Sequence, residues 1–77
     1  MTHLMNYIKA YRLINNMKQS ELAERVGVRR ETIIRLEKLE YNPSLKLAMD
    51  IARVFECRVE DIFVLVEIDK NNKIIYK

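Results

Sequence analysis

Gln19 to Leu36 reads QSELAERVGVRRETIIRL, two apolar helical periods divided by a glycine. Leu22, Ala23 and Val26 recur at helical spacing in its first half; Val28, Thr32, Ile33 and Leu36 do so in its second. Between the two stands Gly27, the only glycine in the chain. Glycine takes a positive φ at little steric cost, so a helix can stop sharply there, and Ala23 is small where two such close helices must cross. Two short amphipathic helices around a tight turn are the pattern of a helix-turn-helix. The second helix projects a polar face carrying Arg29, Arg30, Glu31 and Arg35, a face suited to a major groove.

On the N-terminal side, Met1 to Met5 reads as a short lead-in. From Asn6 to about Asn15, Ile8, Tyr11 and Leu13 or Ile14 suggest a first helix, with Lys9 and Arg12 on or near its wet side and Asn15 and Asn16 ending it. On the C-terminal side, Tyr41, Asn42, Pro43 and Ser44 break the helical pattern, since proline disfavours helix at the residue before it and suits a first turn. A fourth helix follows from about Ser44 to Phe55, with Leu45, Ala48, Ile51, Ala52 and Phe55 inward. A helical turn over Val59 to Phe63 completes an all-helical core spanning about 6–63. Met17 and Met49 also read as core, His3 as solvated, and Cys57 as a small buried apolar residue.

After Phe63 the period changes. VLVEID and KIIYK are rich in β-branched and aromatic residues and flank Lys70, Asn71 and Asn72, so 64–77 reads as a β-hairpin turning at the asparagines. A lone hairpin is marginal in water. It must pack on the helices or pair with a partner chain.

The 77 residues are expected to form a single domain over 1–77, mainly α, small enough that a partner subunit would help its core. Net charge is +3, which favours an anionic partner only weakly because 11 acidic residues oppose the bases. One cysteine and one histidine exclude an internal disulfide and a thiolate zinc cage. No glycine-rich phosphate loop, nucleophile with its base, or metal-ligand cluster is present, so no enzyme, cofactor or metal is expected. The sequence shows neither a membrane span nor a secretory signal, and the expected compartment is the cytoplasm.

Arg12, Gln19, Leu22, Ala23, Gly27-Val28, Thr32-Ile33, Glu37, the run Tyr41-Asn42-Pro43-Ser44-Leu45 and the run Glu60 to Phe63 stand in one order and spacing. In these marks the chain resembles the Cro and phage-repressor type of helix-turn-helix regulators, the XRE family, over roughly Ile8 to Phe63. The resemblance implies a five-helix, repressor-like DNA-binding domain whose third helix reads double-stranded DNA within a symmetric dimer. It also implies a structural ion pair between Arg12 and Glu37. Where such proteins tend to place serine or threonine N-caps on the second, third and fifth helices, this chain has Lys18, Arg29 and Arg58. A lost cap costs about 1 kcal/mol, and a cation is disfavoured at a helix N-terminus. A DNA phosphate would offset this at Lys18 and Arg29; Arg58 reads as an ordinary surface substitution.

On this reading Lys18, Gln19, Arg29, Tyr41, Asn42 and Lys46 meet the DNA backbone, while Arg30, Glu31, Thr32 and Arg35 meet base edges. Alternatives stand beside several of these. Tyr41 could pack against the turn, Asn42 could cap the fourth helix, and Glu31 could pair with Arg35 four residues on. Dimerisation is expected through Phe55, Ile62, Phe63, Leu65, Ile74 and Tyr76. The alternative has the hairpin cap its own core and pair with residues near Met1 to Met5. The expected function is a dimeric transcriptional repressor, since no separate activation or effector domain is evident. The competing function is an antitoxin or adaptor that binds a small protein partner through the hairpin.

Overall fold

A computed structural model of the chain describes residues 1–75. In order it forms β1 (Thr2–Asn6), α1 (Ile8–Ile14), α2 (Gln19–Val26), α3 (Arg30–Glu37), α4 (Leu45–Val54), α5 (Val59–Ile62), β2 (Phe63–Ile68) and β3 (Ile74–Ile75). Each helix sends at least one fully buried side chain to a common core: Ile8, Leu22, Ile33, Leu36, Ile51 and Ile62. Burial of this kind stabilises by about 1.5–3 kcal/mol per large aliphatic side chain.

Helical geometry corrects several expected core positions. In α1 the inward face runs through Ile8, Tyr11 and Arg12, so Arg12 is buried, and Leu13 and Ile14 fall on the solvent side. In α4 the buried stripe is Leu47, Ala48, Ile51 and Ala52. Leu45 and Met49 lie off that stripe and are exposed, and Phe55 is half-buried. Met17 is in the core.

Four helices end in the same way, with a left-handed residue and a backbone N–H reaching back five residues. Gly27 (φ 71°) closes α2 through Val28 N–H to Ala23 O, and Asn16 (φ 51°) closes α1 through Met17 N–H to Arg12 O. Leu39 (φ 62°) and Glu56 (φ 53°) do this after α3 and α4. Side chains other than glycine and asparagine adopt this region at a cost of roughly 1–2 kcal/mol.

The strand region differs from a two-stranded hairpin. The sheet has three antiparallel strands in the order β1-β2-β3, and its longer ladder is β1 with β2, from Thr2 opposite Glu67 to Asn6 opposite Phe63. The residues expected as a lead-in are therefore a strand, which is the alternative pairing of the hairpin with residues near Met1 to Met5. β3 pairs with β2 only at Glu67 with Ile75 and Ile68 with Ile74. In the turn Asn72 takes φ 61°, and Asp69 Oδ1 accepts from the backbone N–H groups of Asn71 and Lys73. An N-terminal strand relieves the weakness of a lone hairpin by giving β2 a partner on each side.

Candidate nucleic-acid interface

The turn between α2 and α3 sets the site. Gly27 ends α2, Ala23 is buried between the helices, and Arg29, in extended conformation, opens α3. Lys18 and Arg29 stand at the N-cap positions of α2 and α3, and neither side chain caps its helix. The first-turn N–H groups therefore have no side-chain acceptor, although in α3 the Thr32 N–H donates to Arg29 O at 3.0 Å, and a cation stands at each helix start, an arrangement that favours an anion. Fully buried Ile33 and Leu36 hold α3 down and leave Arg29, Arg30, Glu31 and Arg35 exposed on its outer side.

Two hollows flank that side of the helix. One, of about 700 Å³, is lined by Lys9, Lys18, Gln19, Ser20 and Arg30, with Arg12 and Glu37 beneath. Its base is a buried network: Arg12 Nε donates to Glu37 Oε2 at 2.7 Å, Arg12 Nη2 to Glu37 Oε1 at 3.0 Å, and Arg12 Nη1 to Met17 O at 2.9 Å. Gln19 Nε2 donates to Glu37 Oε1 at 3.2 Å, so in the free protein Gln19 is tied to the ion pair. The other hollow, of about 530 Å³, is lined by Arg29, Glu31, Thr32, Arg35 and Tyr41. The structure thus groups Arg30 with the lysines of the first hollow and Arg29 with the residues expected at base edges.

The expected Glu31 to Arg35 ion pair does not form. Arg35 turns toward Glu40, with Nε to Oε1 at 3.7 Å, and its guanidinium lies 6.0 Å from the centre of the Tyr41 ring. The cap of α4 is Ser44, whose Oγ accepts from Leu47 N–H at 3.1 Å, which leaves Asn42 exposed and without a capping role. Lys46 is also exposed but holds Asp50 at 2.7 Å along its own helix.

Two further residues belong to this region. Lys9 stands one turn before Arg12 and lines the first hollow; its place on the wet side of the first helix was the only signal in the sequence. Asn6 Nδ2 donates to Leu36 O at 2.9 Å and its Oδ1 accepts from Ile8 N–H at 3.2 Å, so one side chain ties β1, α1 and α3 together. An asparagine before an apolar helical run can be read as a cap, but the bond to α3 spans 30 residues and has no local signal.

At α5, Arg58 is not simply a lost cap. Asp61 Oδ2 accepts from the Arg58 backbone N–H at 2.9 Å, and the Arg58 guanidinium reaches Asp61 Oδ1 at 3.4 Å. Arginine has no acceptor, so only the returning half of a capping box exists here. The backbone bond, with the guanidinium beside it, holds Asp61 below the ordinary carboxylate range. Burial, the larger effect, pushes the Cys57 thiol upward while its contact with Tyr11 acts the other way; a raised thiol is a poor nucleophile at neutral pH.

The residues expected at a dimer contact separate into two groups. Ile62 is fully buried and Phe63 nearly so, because both fill the core beneath the sheet, and they have no surface to offer. Phe55 is half-buried, its ring centre 5.6 Å from that of Tyr11. Leu65 and Ile74 are exposed, as are Tyr7 and Ile75 beside them. Tyr76 lies outside the described residues.

A helix-turn-helix family model matches residues 8–62, from the start of α1 to the end of α5. The chain belongs to the XRE-type helix-turn-helix family. Its relatives within that family include an uncharacterized HTH-type transcriptional regulator of Archaeoglobus fulgidus, 65% identical over 78% of this chain and 84% of the relative. Another, MJ0272 of Methanocaldococcus jannaschii, is 49% identical over 79% of this chain and 92% of its own. The regulator YgzD of Bacillus subtilis is 41% identical over 83% and 97%. A crystal structure of a Bacteroides fragilis protein shares the fold with a TM-score of 0.71 at 23% identity, covering 78% of this chain and 97% of that one. Among the described residues of this XRE-type chain, no helix is long and apolar enough to cross a membrane.

Proposed function

We propose that this helix-turn-helix transcriptional regulator is a dimeric repressor that reads the major groove of double-stranded DNA with α3. The observation that carries the reading is the outer side of α3, where three arginines stand exposed, with half-buried Thr32 among them, beside the uncapped starts of α2 and α3. Lys18, Gln19 and Arg29, with Lys9, are the groups we assign to phosphate; Tyr41, Asn42 and Lys46 extend that contact along the strand. Arg30, Glu31, Thr32 and Arg35 are assigned to base edges. Arginine matches the two acceptors of guanine and threonine can meet a thymine methyl.

A dimer supports this reading because one short helix covers few base pairs, whereas two related helices reach half-sites roughly one DNA turn apart. We assign the contact to the exposed apolar residues Leu65 and Ile75, which share one face of the sheet in this register, with Tyr7 adjoining; Ile74 points to the opposite face. Leu65→Glu should then convert dimer to monomer in sedimentation without loss of helical signal, and an unchanged dimer would refute the assignment. A dimer seated on an operator in this way would repress by blocking access to the DNA it covers.

The test of the function is selection of bound duplexes from a random DNA pool at fixed moderate salt. Enrichment of a palindrome with G·C pairs in each half is expected. Weak salt-sensitive binding with no enriched sequence would refute it. Arg30→Ala and Arg35→Ala should each weaken specific binding by roughly 1–3 kcal/mol if they read bases. A second reading, an antitoxin or adaptor, draws on the outer strands of the sheet, where a partner's strand could add. Co-purification with a second small protein would favour it.

A further inference from the structure

We infer that Glu31 is a specificity-determining residue that selects cytosine in each half-site, an inference that rests on the DNA reading above. Glu31 is exposed on the outer side of α3 and, with Arg29, Thr32, Arg35 and Tyr41, lines a hollow of about 530 Å³. Its nearest natural partner, Arg35, is four residues on, yet Arg35 is drawn away by Glu40 and by the face of Tyr41. The carboxylate is therefore left without a hydrogen bond or ion pair among the described residues, between arginines that would bring DNA toward it.

The chemistry of the major groove decides what such a carboxylate can meet. An ionised carboxylate only accepts hydrogen bonds. Guanine offers N7 and O6, and thymine offers O4, all acceptors that repel it. Only cytosine N4 and adenine N6 donate, and adenine places its N7 acceptor beside that amino group. In the duplex, cytosine N4 has an acceptor on one side only, the paired guanine O6, whereas adenine N6 lies between its own N7 and thymine O4. Glu31 thus disfavours three bases and accepts one.

A structural role competes with this. Glu31 lies in the first turn of α3, where a negative charge suits the helix dipole beside Arg29 and Arg30. That role would change stability and leave base preference untouched, so base preference is the discriminating readout.

The experiment compares duplex selection by the full-length protein and by Glu31→Gln and Glu31→Ala, with thermal melting followed by circular dichroism as a check on folding. Wild-type protein should enrich cytosine at one position of each half-site. Glu31→Gln should move that position to adenine, because glutamine can pair with adenine N6 and N7, and Glu31→Ala should flatten it. In direct binding, exchanging that C·G pair for A·T should weaken the wild type roughly tenfold or more and weaken Glu31→Gln less, or not at all. The same base at every position in all three proteins would overturn the inference and leave DNA recognition standing. No enriched sequence with the wild type would overturn both.

Discussion

Removing one partner of the Arg12 and Glu37 pair should be the most damaging polar substitution in the helical core. The two side chains are 9% and 8% exposed, joined by two hydrogen bonds at 2.7 and 3.0 Å. In Arg12→Met, Glu37 keeps only the Gln19 amide at 3.2 Å for a nearly buried charge. In Glu37→Leu, the guanidinium keeps only the Met17 carbonyl at 2.9 Å. Breaking a buried pair by removing one partner costs about 3–5 kcal/mol, because the other charge is stranded. A small chain loses roughly 1 kcal/mol of stability per molar urea, so the unfolding midpoint should fall by about 3 M or more. The double variant Arg12→Met/Glu37→Leu leaves no stranded charge and should recover much of that loss. Urea unfolding of the four proteins gives the coupling energy, while Lys46→Ala removes an exposed i,i+4 pair and should cost only about 0.2–0.5 kcal/mol. Single variants that each cost less than about 1 kcal/mol, as an exposed pair would, or a double variant equal to their sum, would refute the reasoning.

The helix ends offer a paired test. A Cβ at Gly27 would meet no atom within 4 Å, so Gly27→Ala should cost only the backbone term of roughly 1–2 kcal/mol, while Glu56→Gly, at φ 53°, should gain about 1 kcal/mol in thermal melting. If both changes moved stability in the same direction, the shared left-handed device would not be what they probe. Lys18→Ser and Arg29→Ser restore side-chain caps and should each stabilise by about 0.5–2 kcal/mol while weakening binding to duplexes of any sequence; stabilisation without weaker binding would remove the phosphate role. Asp61 is held below its ordinary range by the Arg58 N–H and guanidinium, so its contribution is full above the unfolded-state value and is lost as pH falls through the folded one. The melting difference between wild type and Asp61→Asn should therefore be largest near neutral pH and shrink in acid, and a difference constant down to acid pH would contradict the assigned cause.

Much of the architecture was legible because it is written locally. The spacing of Leu22, Ala23 and Val26, the glycine after them and the apolar period of α3 fixed two helices and their turn without reference to any other part of the chain. The change of period after Phe63 marked β2 and β3. Charge on the outer side of α3 could be listed from spacing alone, since residues that do not share the Ile33 and Leu36 face must point elsewhere.

Pairings between distant residues were set only in the folded chain. Met1 to Met5 looked like a lead-in, because a short segment without charge or period gains strand character only when β2 is beside it. Arg12 looked solvated on its own helix, and the resemblance to the family, not its spacing, joined it to Glu37. Ile62 and Phe63 looked available to a partner until the sheet and helices closed over them. Glu31 and Arg35 have the spacing of an ion pair, yet Arg35 follows Glu40 and Tyr41 across the turn after α3. Local periodicity selects the elements and their faces; which faces meet, and which charges are left without a partner, depends on contacts between residues far apart in the chain, and those exist only in the folded molecule.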